Sequence, residues 1–328
     1  MQKRQLGNSS LELTTIGFGS WAIGGGDWKF GWGDQNEQDS IDAIVAAVDH
    51  GINWIDTAAV YGGGISEQIV GKALVQLGSS RRPIVATKCG RVMRGPDTID
   101  KIIKRASIIA ECEASLQRLG IDCIDLYQIH WPEPDEDIEE AWATLVELKQ
   151  QGKVREIGVS NHNAAQLARL QAIHPVASLQ PPYSLIVPGV EKEVLPYCAA
   201  NHIGVVCYSP MYKGLLTGKF SLERAQALSA KDHRSRDVHF QSPLIEAHLG
   251  LVDCLRPIAE KQGRSLAELA IAWVLRRPEV TSAIVGGRNA AQVEQIVGAA
   301  EWTLDAQDIE TIEQLRIGHQ QAQRVSLG

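Results

Sequence analysis

Four side chains in this sequence would, if brought together, make an acid catalyst that lacks a nucleophile: Asp56, Tyr61, Lys88 and His130. An ammonium beside a phenol stabilises the phenolate and lowers the tyrosine pKa from its reference of about 10, so Tyr61 is expected to release a proton near neutral pH. Asp56 would hold Lys88 charged and oriented. His130 would donate a hydrogen bond to a carbonyl oxygen as negative charge builds there. Taken singly each has an ordinary role, as a turn cap, a solvated cation or a satisfied core histidine. What sets them apart is that all four fall at or just after the ends of successive apolar, β-branched runs. Such a set suits hydride addition to a carbonyl, and the hydride must come from a cofactor because no side chain can supply one. The nine histidines are scattered and make no His-x-x-x-His pair, so no metal centre is expected.

The same strand ends offer a place for a nicotinamide cofactor. Ser160, Asn161 and Gln180 could bond a carboxamide, and Tyr208 could stack on the ring. The run IVGGR brings Gly286 and Gly287 before Arg288, where backbone N–H groups approach a phosphate and the guanidinium meets a 2′-phosphate; the alternative for Arg288 is a solvated surface cation. Gly17, Gly19 and Ala22 satisfy the dinucleotide fingerprint G-x-G-x-x-A, yet Gly24, Gly25, Gly26 and Asp27 follow where that motif requires a helix. The segment is instead expected to be a strand end followed by a loop that carries Trp21, Trp28, Phe30 and Trp32, aromatics that line a substrate pocket or pack on its rim.

These residues need a frame that gathers strand ends. From residue 38 onward, helix-period segments alternate with the runs INWID, IVATK, IDLYQIH, EIGVS, SLQ, GVVCYS and SAIVGG. Counting GFG at 17–19 gives eight strands, the number that closes a parallel (β/α)8 TIM barrel, with an open doubly wound sheet as the alternative. Reacting groups in such a barrel come from the carboxyl ends of the strands. Ser265 and Glu268 have capping-box spacing ahead of LAIAWVL. KRQLG, NSS and LELTTIG read as an N-terminal β-hairpin able to plug the far end of the barrel. Residues 210 to 250, weakly periodic, are a candidate lid.

The bulk properties narrow the function class. At 328 residues and 35.8 kDa the chain matches one large barrel, residues 1–328, although length alone allows two ordinary domains. A hydrophobic share of 44 % and a charged share of 22 % suit a large core. The formal net charge of -7 leaves no basic stripe for nucleic acid, and neither a signal core nor a membrane-length apolar run is present. Six cysteines without ligand spacing fit reduced thiols and a cytoplasmic setting.

In the order found, GFGSWAIGG, GINWIDTAAVYGGGISEQIVGKAL, IVATK, DLYQIHWP, GKVREIGVSN, YSPMYKGLLTGK and IVGGRNAAQ, the sequence resembles the aldo-keto reductase family over nearly its whole length. The resemblance implies reduction of aldehydes or ketones with NADPH, NADH being the alternative, and is nearest to the bacterial, short C-terminal-loop members active on sugars and small polyols. It carries the family's catalytic four onto Asp56, Tyr61, Lys88 and His130. It places the cofactor on Gly19, Ser20, Trp21, Asp56, Ser160, Asn161, Gln180 and Tyr208, then on Ser209, Pro210, Met211, Gly214, Leu215 and Lys219, then on Gly286, Gly287, Arg288, Gln292 and Gln295. Trp21, Trp28, Trp32 and Trp131 are the implied substrate contacts. Arg234 and Lys219 are implied at the pyrophosphate. His162 and Ile296 depart from the family pattern, in which Phe or Trp and an adenine-binding Asn are usual. The partner implied is a small carbonyl compound. A family barrel can also serve as an NADPH-binding regulatory or sensor subunit with little turnover, and an unrelated barrel lyase or isomerase is a third reading.

Overall fold

In the computed structural model, which describes residues 1–327, the eight expected strands close into a parallel barrel. They are β3 (Ile16–Gly19), β4 (Trp54–Asp56), β5 (Ile84–Cys89), β8 (Ile124–Ile129), β9 (Val154–Ser160), β10 (Ser178–Gln180), β11 (Gly204–Tyr208) and β12 (Val280–Gly286). Closure is made by β12 against β3, with Ile284 opposite Gly17. Helices follow the strands: α1 (Glu37–Asp49), α2 (Ile65–Leu77), α3 (Arg105–Leu119), α4 (Ile138–Gln150), α5 (Ala164–Gln171), α6 (Val194–Ala200), the short α7 (Leu222–Gln226) in the stretch expected as a lid, α8 (Leu244–Lys261), α9 (Leu266–Leu275), and, after the last strand, α10 (Ala290–Val297) and α11 (Ala306–Leu327). Ser265 and Glu268 form the expected capping box, and Asn163 with Gln166 forms a second ahead of α5. None of the helices among the described residues is long and apolar enough to cross a membrane.

Strand alternation sorts side chains into two compartments. Ile55, Val85, Tyr127, Ile157, Leu179 and Val205 point outward into the core shared with the helices. Trp54, Ala86, Leu126, Val206 and Ile284 point inward and form a separate interior cluster. The expected N-terminal hairpin, β1 (Lys3–Gln5) paired antiparallel to β2 (Glu12–Thr14), supplies Leu6, Leu11 and Leu13 to that interior cluster and seals the end where the strands begin. All three leucines are fully buried, and each contributes about 1.5–3 kcal/mol by leaving water. The interior thus fills from below with apolar side chains, and the inward positions one step higher, Asp56, Lys88, Gln128, Ser160 and Gln180, are polar.

The glycines that mimic a dinucleotide fingerprint have a packing reason. A Cβ on Gly17 would lie 2.0 Å from Trp54 Cε2, so glycine here makes room for the indole, whose Nε1 donates to Ser282 Oγ at 3.0 Å. Only a three-residue 3-10 turn, Trp21–Ile23, follows, and the first α-helix starts at Glu37.

Two features lay beyond the sequence reading. A hairpin of β6 (Val92–Gly95) and β7 (Thr98–Asp100) rises after β5. The stretch expected as a lid is a folded strap: Arg234 pairs with Asp232 at 2.6 Å, Lys213 with Asp237 at 2.6 Å, and Asp232 bridges to Trp32 across the barrel mouth. A row of imidazoles ties the strap to the body, His239 Nδ1 to His248 Nε2 at 3.0 Å and His248 Nδ1 to His319 Nε2 at 2.9 Å.

Two outcomes follow for stability. Gly17→Ala forces Trp54 to move, and an overpacked core loses about 1–3 kcal/mol, read as a lower urea midpoint at unchanged slope; an unshifted midpoint would remove Trp54 as the reason for this glycine. Burial draws His248 down to about 3 and His319 to about 4, so both are neutral in the fold and take up protons on unfolding below their ordinary pKa near 6.5. Stability therefore falls as pH drops from 7 to 5, and His248→Gln flattens that dependence of the thermal midpoint.

Candidate active site

Asp56, Lys88 and His130 occupy inward positions at the carboxyl ends of β4, β5 and β8, and Tyr61 opens the short turn that follows β4. Lys88, 1 % exposed, sends its Nζ to Asp56 Oδ2 at 2.7 Å, to the Thr57 carbonyl at 2.8 Å and to the Tyr61 hydroxyl at 3.4 Å. The other Asp56 oxygen accepts from Gln180 Nε2 at 2.7 Å, which fixes the carboxylate from across the barrel. The His130 ring stands edge-on to Tyr61 with centroids 5.9 Å apart. The four residues expected to act together are therefore one contiguous group. Three glycines with positive φ, Gly62, Gly63 and Gly64, follow Tyr61 and let the chain reverse sharply into α2.

The electrostatics correct one expectation. Burial raises the Tyr61 pKa well above its ordinary value, with the Asp56 carboxylate and Tyr208 adding to the rise, so the phenol is not made acidic by its lysine. The physical reason is desolvation of the buried phenol, which outweighs the help of an ammonium already paired with Asp56, and the Asp56 carboxylate adds to the rise. Burial also draws Lys88 below the ordinary lysine range, against the opposing pull of Asp56. His130 is held well below the usual imidazole value by burial and then by the Lys88 and Arg91 cations. It is neutral at physiological pH and retains one N–H donor.

Above this group opens a cavity of about 1900 Å³. Single small-ligand pockets span about 300–1,000 Å³, so this one has room for an extended dinucleotide and a carbonyl compound together. Gly19, Trp21, Ser160, Asn161, Gln180 and Tyr208 line it. They are already networked: Tyr208 donates to Asn161 Oδ1 at 2.9 Å, Asn161 Nδ2 donates to the His130 carbonyl and to Ser160 Oγ, both at 2.9 Å, and Ser160 Oγ donates to the Gln180 carbonyl at 2.8 Å. Ser209, Pro210, Met211, Gly214 and Lys219 line the next stretch, where Ser209, Tyr212 and Lys213 adopt positive φ. Such strained backbone in non-glycine residues concentrates at ligand-binding turns. Gly286, Gly287, Arg288, Gln292 and Gln295 close the far end.

Two of the expected residues, Ser20 and Leu215, stand outside the cavity, and others line it with partners already made. Ser20 does not line the cavity; it is fully buried, its Oγ donating to the Asp56 carbonyl at 2.9 Å and accepting from Ser66 Oγ at 2.7 Å. The Leu215 side chain is buried in the outer core. Arg288 lines the cavity without being a solvated cation, because its guanidinium donates to Gln35 Oε1 at 2.6 Å, to the Trp32 carbonyl at 3.3 Å and to the Asp34 carbonyl. Lys219 bonds Gln295. Arg234 lies under the ring of Trp32 at 4.7 Å, fixed by Asp232. His162 is buried, its Nδ1 on the Ser160 carbonyl at 2.9 Å, and Ile296 lines the far end.

Trp21, Trp28, Trp32 and Trp131 all line the cavity. Trp21 stacks over Tyr61 at 6.3 Å and meets Trp32 edge-on at 5.2 Å. Lining groups that escaped the sequence reading include His233, 4.8 Å from Trp21, Arg91 and Glu133. Arg91 carried a usable signal, since it follows Lys88 by three positions beyond the same strand end. His233 lies in the aperiodic strap and carried none.

Comparison with known proteins agrees with this geometry. Residues 15–317 match the aldo/keto reductase family. The chain is 39 % identical over 309 residues to aldo-keto reductase YhdN of Bacillus subtilis (strain 168), covering 94 % of this chain and 91 % of that protein. It is 35 % identical over 320 residues to the NADH-specific methylglyoxal reductase of Escherichia coli (strain K12), covering 94 % and 96 %. Among solved structures, the glycerol dehydrogenase AKR11B4 from Gluconobacter oxydans superimposes with a TM-score of 0.86 at 36 % identity, covering 97 % of this chain and 95 % of that one. Closed barrel, strand-end tetrad and full-length similarity together make the chain a member of the aldo/keto reductase family of NAD(P)H-dependent oxidoreductases.

Proposed function

We propose that this chain reduces small aldehydes or ketones, of the sugar- and polyol-related kind, to alcohols with NADPH, NADH being the second candidate, and that Tyr61 is the proton donor. The observation that carries this reading is the Tyr61 hydroxyl 3.4 Å from Lys88 Nζ, which is itself 2.7 Å from Asp56, at the floor of the large cavity. The relatives named for methylglyoxal and glycerol support a small, oxygen-rich substrate.

Ser160, Asn161 and Gln180 would hold the carboxamide, with Tyr208 against the ring. The 209–214 turn and Lys219 would hold the pyrophosphate, and Gly286 to Arg288 with Gln292 and Gln295 the adenosine end. When bound, the coenzyme supplies the hydride that reduces the carbonyl carbon. The protein's own residues manage the oxygen. The Tyr61 O–H and the neutral His130 N–H both donate to the carbonyl and polarise it. As negative charge collects on the oxygen, the Tyr61 proton crosses to it and the alcohol forms. The phenolate left behind accepts from Lys88 Nζ, and Asp56 with the Thr57 carbonyl keeps that ammonium aimed. A raised phenol pKa is no handicap in this direction, because the acid must hold its proton until the alkoxide appears.

Tyr61→Phe should lower kcat for a reactive test aldehyde by about 10²–10⁴-fold with coenzyme affinity unchanged, measured by steady-state kinetics and fluorescence titration; equal turnover in mutant and wild type would exclude the assigned role. The two directions should also differ with pH. The Tyr61 pKa is raised, so its protonated form persists across the neutral range and reduction should be flat from pH 6 to about 8. Alcohol oxidation needs the phenolate and should climb steadily as pH rises toward 10. A falling oxidation profile over that range would contradict the reading.

A further inference from the structure

The substrate end of the cavity carries more positive than negative charge in a chain whose net charge is -7. Lys29, Arg91, Lys101 and Arg236 line it, against Asp97 and Glu133. Of these four cations Arg91 lies deepest, the other three being exposed. Its side chain is 10 % exposed, donates to the Gly90 carbonyl at 3.0 Å and to Glu133 Oε2 at 2.6 Å, and lies 5.9 Å from the centre of the Trp131 ring. Among the described residues these are its only protein acceptors, so part of its fork of N–H donors is uncommitted. Its charge is felt at the His130 imidazole, which places it within electrostatic reach of a substrate held there. Glu133 is far more exposed, at 43 %, and shares the same oxygen with Lys101 at 2.9 Å. Glu133 therefore pairs directly with two cations and is the partner freer to shift, while Glu111 also bears on Arg91 without a direct ion pair.

We infer that the preferred carbonyl substrate carries an anionic oxygen group, a carboxylate or a phosphate, and that Arg91, with Lys101 beside it, receives that group at the cavity mouth. This rests on the reading of the chain as a carbonyl reductase and narrows its substrate class. A planar guanidinium seated against an aromatic ring matches carboxylate and phosphate geometry, and a cationic rim raises the local concentration of anions. A purely structural Arg91, strapping the Glu133 loop to the end of β5, would affect every substrate alike.

The test uses two matched pairs: 4-carboxybenzaldehyde against its methyl ester, and glyceraldehyde 3-phosphate against glyceraldehyde, each reduced with NADPH by wild type, Arg91→Met, Arg91→Lys and Lys101→Met. Expected is about a tenfold or greater preference in kcat/KM for the charged member of at least one pair, expressed in KM and weakened by added salt. Arg91→Met should abolish the preference while leaving the neutral member within about twofold, and Arg91→Lys should retain part of it. The pair that shows the effect identifies the anion. Equal kcat/KM within both pairs in the wild type, or an Arg91→Met loss shared by charged and neutral members, overturns the inference. Absence of turnover with all four aldehydes would refute the reductase reading instead. In that case tryptophan fluorescence titration with 4-carboxybenzaldehyde and its ester decides the inference independently: tighter binding of the carboxylate that Arg91→Met removes supports it, and equal binding overturns it.

Discussion

The Lys88 ammonium can stand inside the barrel because Asp56 is 2.7 Å away and the Thr57 carbonyl accepts a second hydrogen bond. An unpaired buried charge costs several kcal/mol, and removing one partner of such a pair typically costs about 3–5 kcal/mol. The pair also needs its surroundings. Asp56 is oriented by Gln180 from the opposite wall, and Gln180 in turn receives Ser160 at its carbonyl, which bonds Asn161, which bonds Tyr208. Charge burial on one side of the barrel is thus mechanically continuous with the proposed coenzyme contacts on the other. A barrel whose strands slipped by one residue would turn Asp56 and Lys88 into the helix layer, where nothing answers them.

The same pair changes how the tyrosine is tuned. An isolated ammonium would acidify the phenol, but a neutralised one leaves desolvation to win and keeps the proton in place. In the proposed reaction such a site would deliver its proton only as the alkoxide forms, with the Lys88 ammonium donating a hydrogen bond to the developing phenolate.

Much of this was legible in the sequence. Short apolar, β-branched runs between helix-period segments, with GFG counted as the first, located the eight barrel strands, the Ser265 and Glu268 spacing located a helix start, and the polar residues at strand ends located the four side chains that the fold brings together, because each of these is a local rule acting on neighbouring residues. The β6–β7 hairpin was not legible, since Val92–Gly95 and Thr98–Asp100 are too short and too exposed to leave an alternation. The strap was hidden for a related reason: it is ordered by ion pairs and imidazoles reaching residues as distant as His319, and such contacts impose no period. The direction of the Tyr61 shift was misjudged because sequence shows which charges are near but not how deeply they are buried. Ser20 stands outside its expected setting because Ser66, a partner that only the fold brings close, holds it in the interior, and Arg288 lines the cavity held by Gln35.

The hairpin that stoppers the base of the barrel separates two kinds of work along one axis. Its leucines secure cohesion at the end where the strands begin, while the proposed reacting groups and the strap belong to the opposite rim. Met1 therefore emerges on the side of the molecule turned away from the opening. A tether fused there would fasten the protein to a surface with its mouth facing outward, leaving the route for small molecules clear.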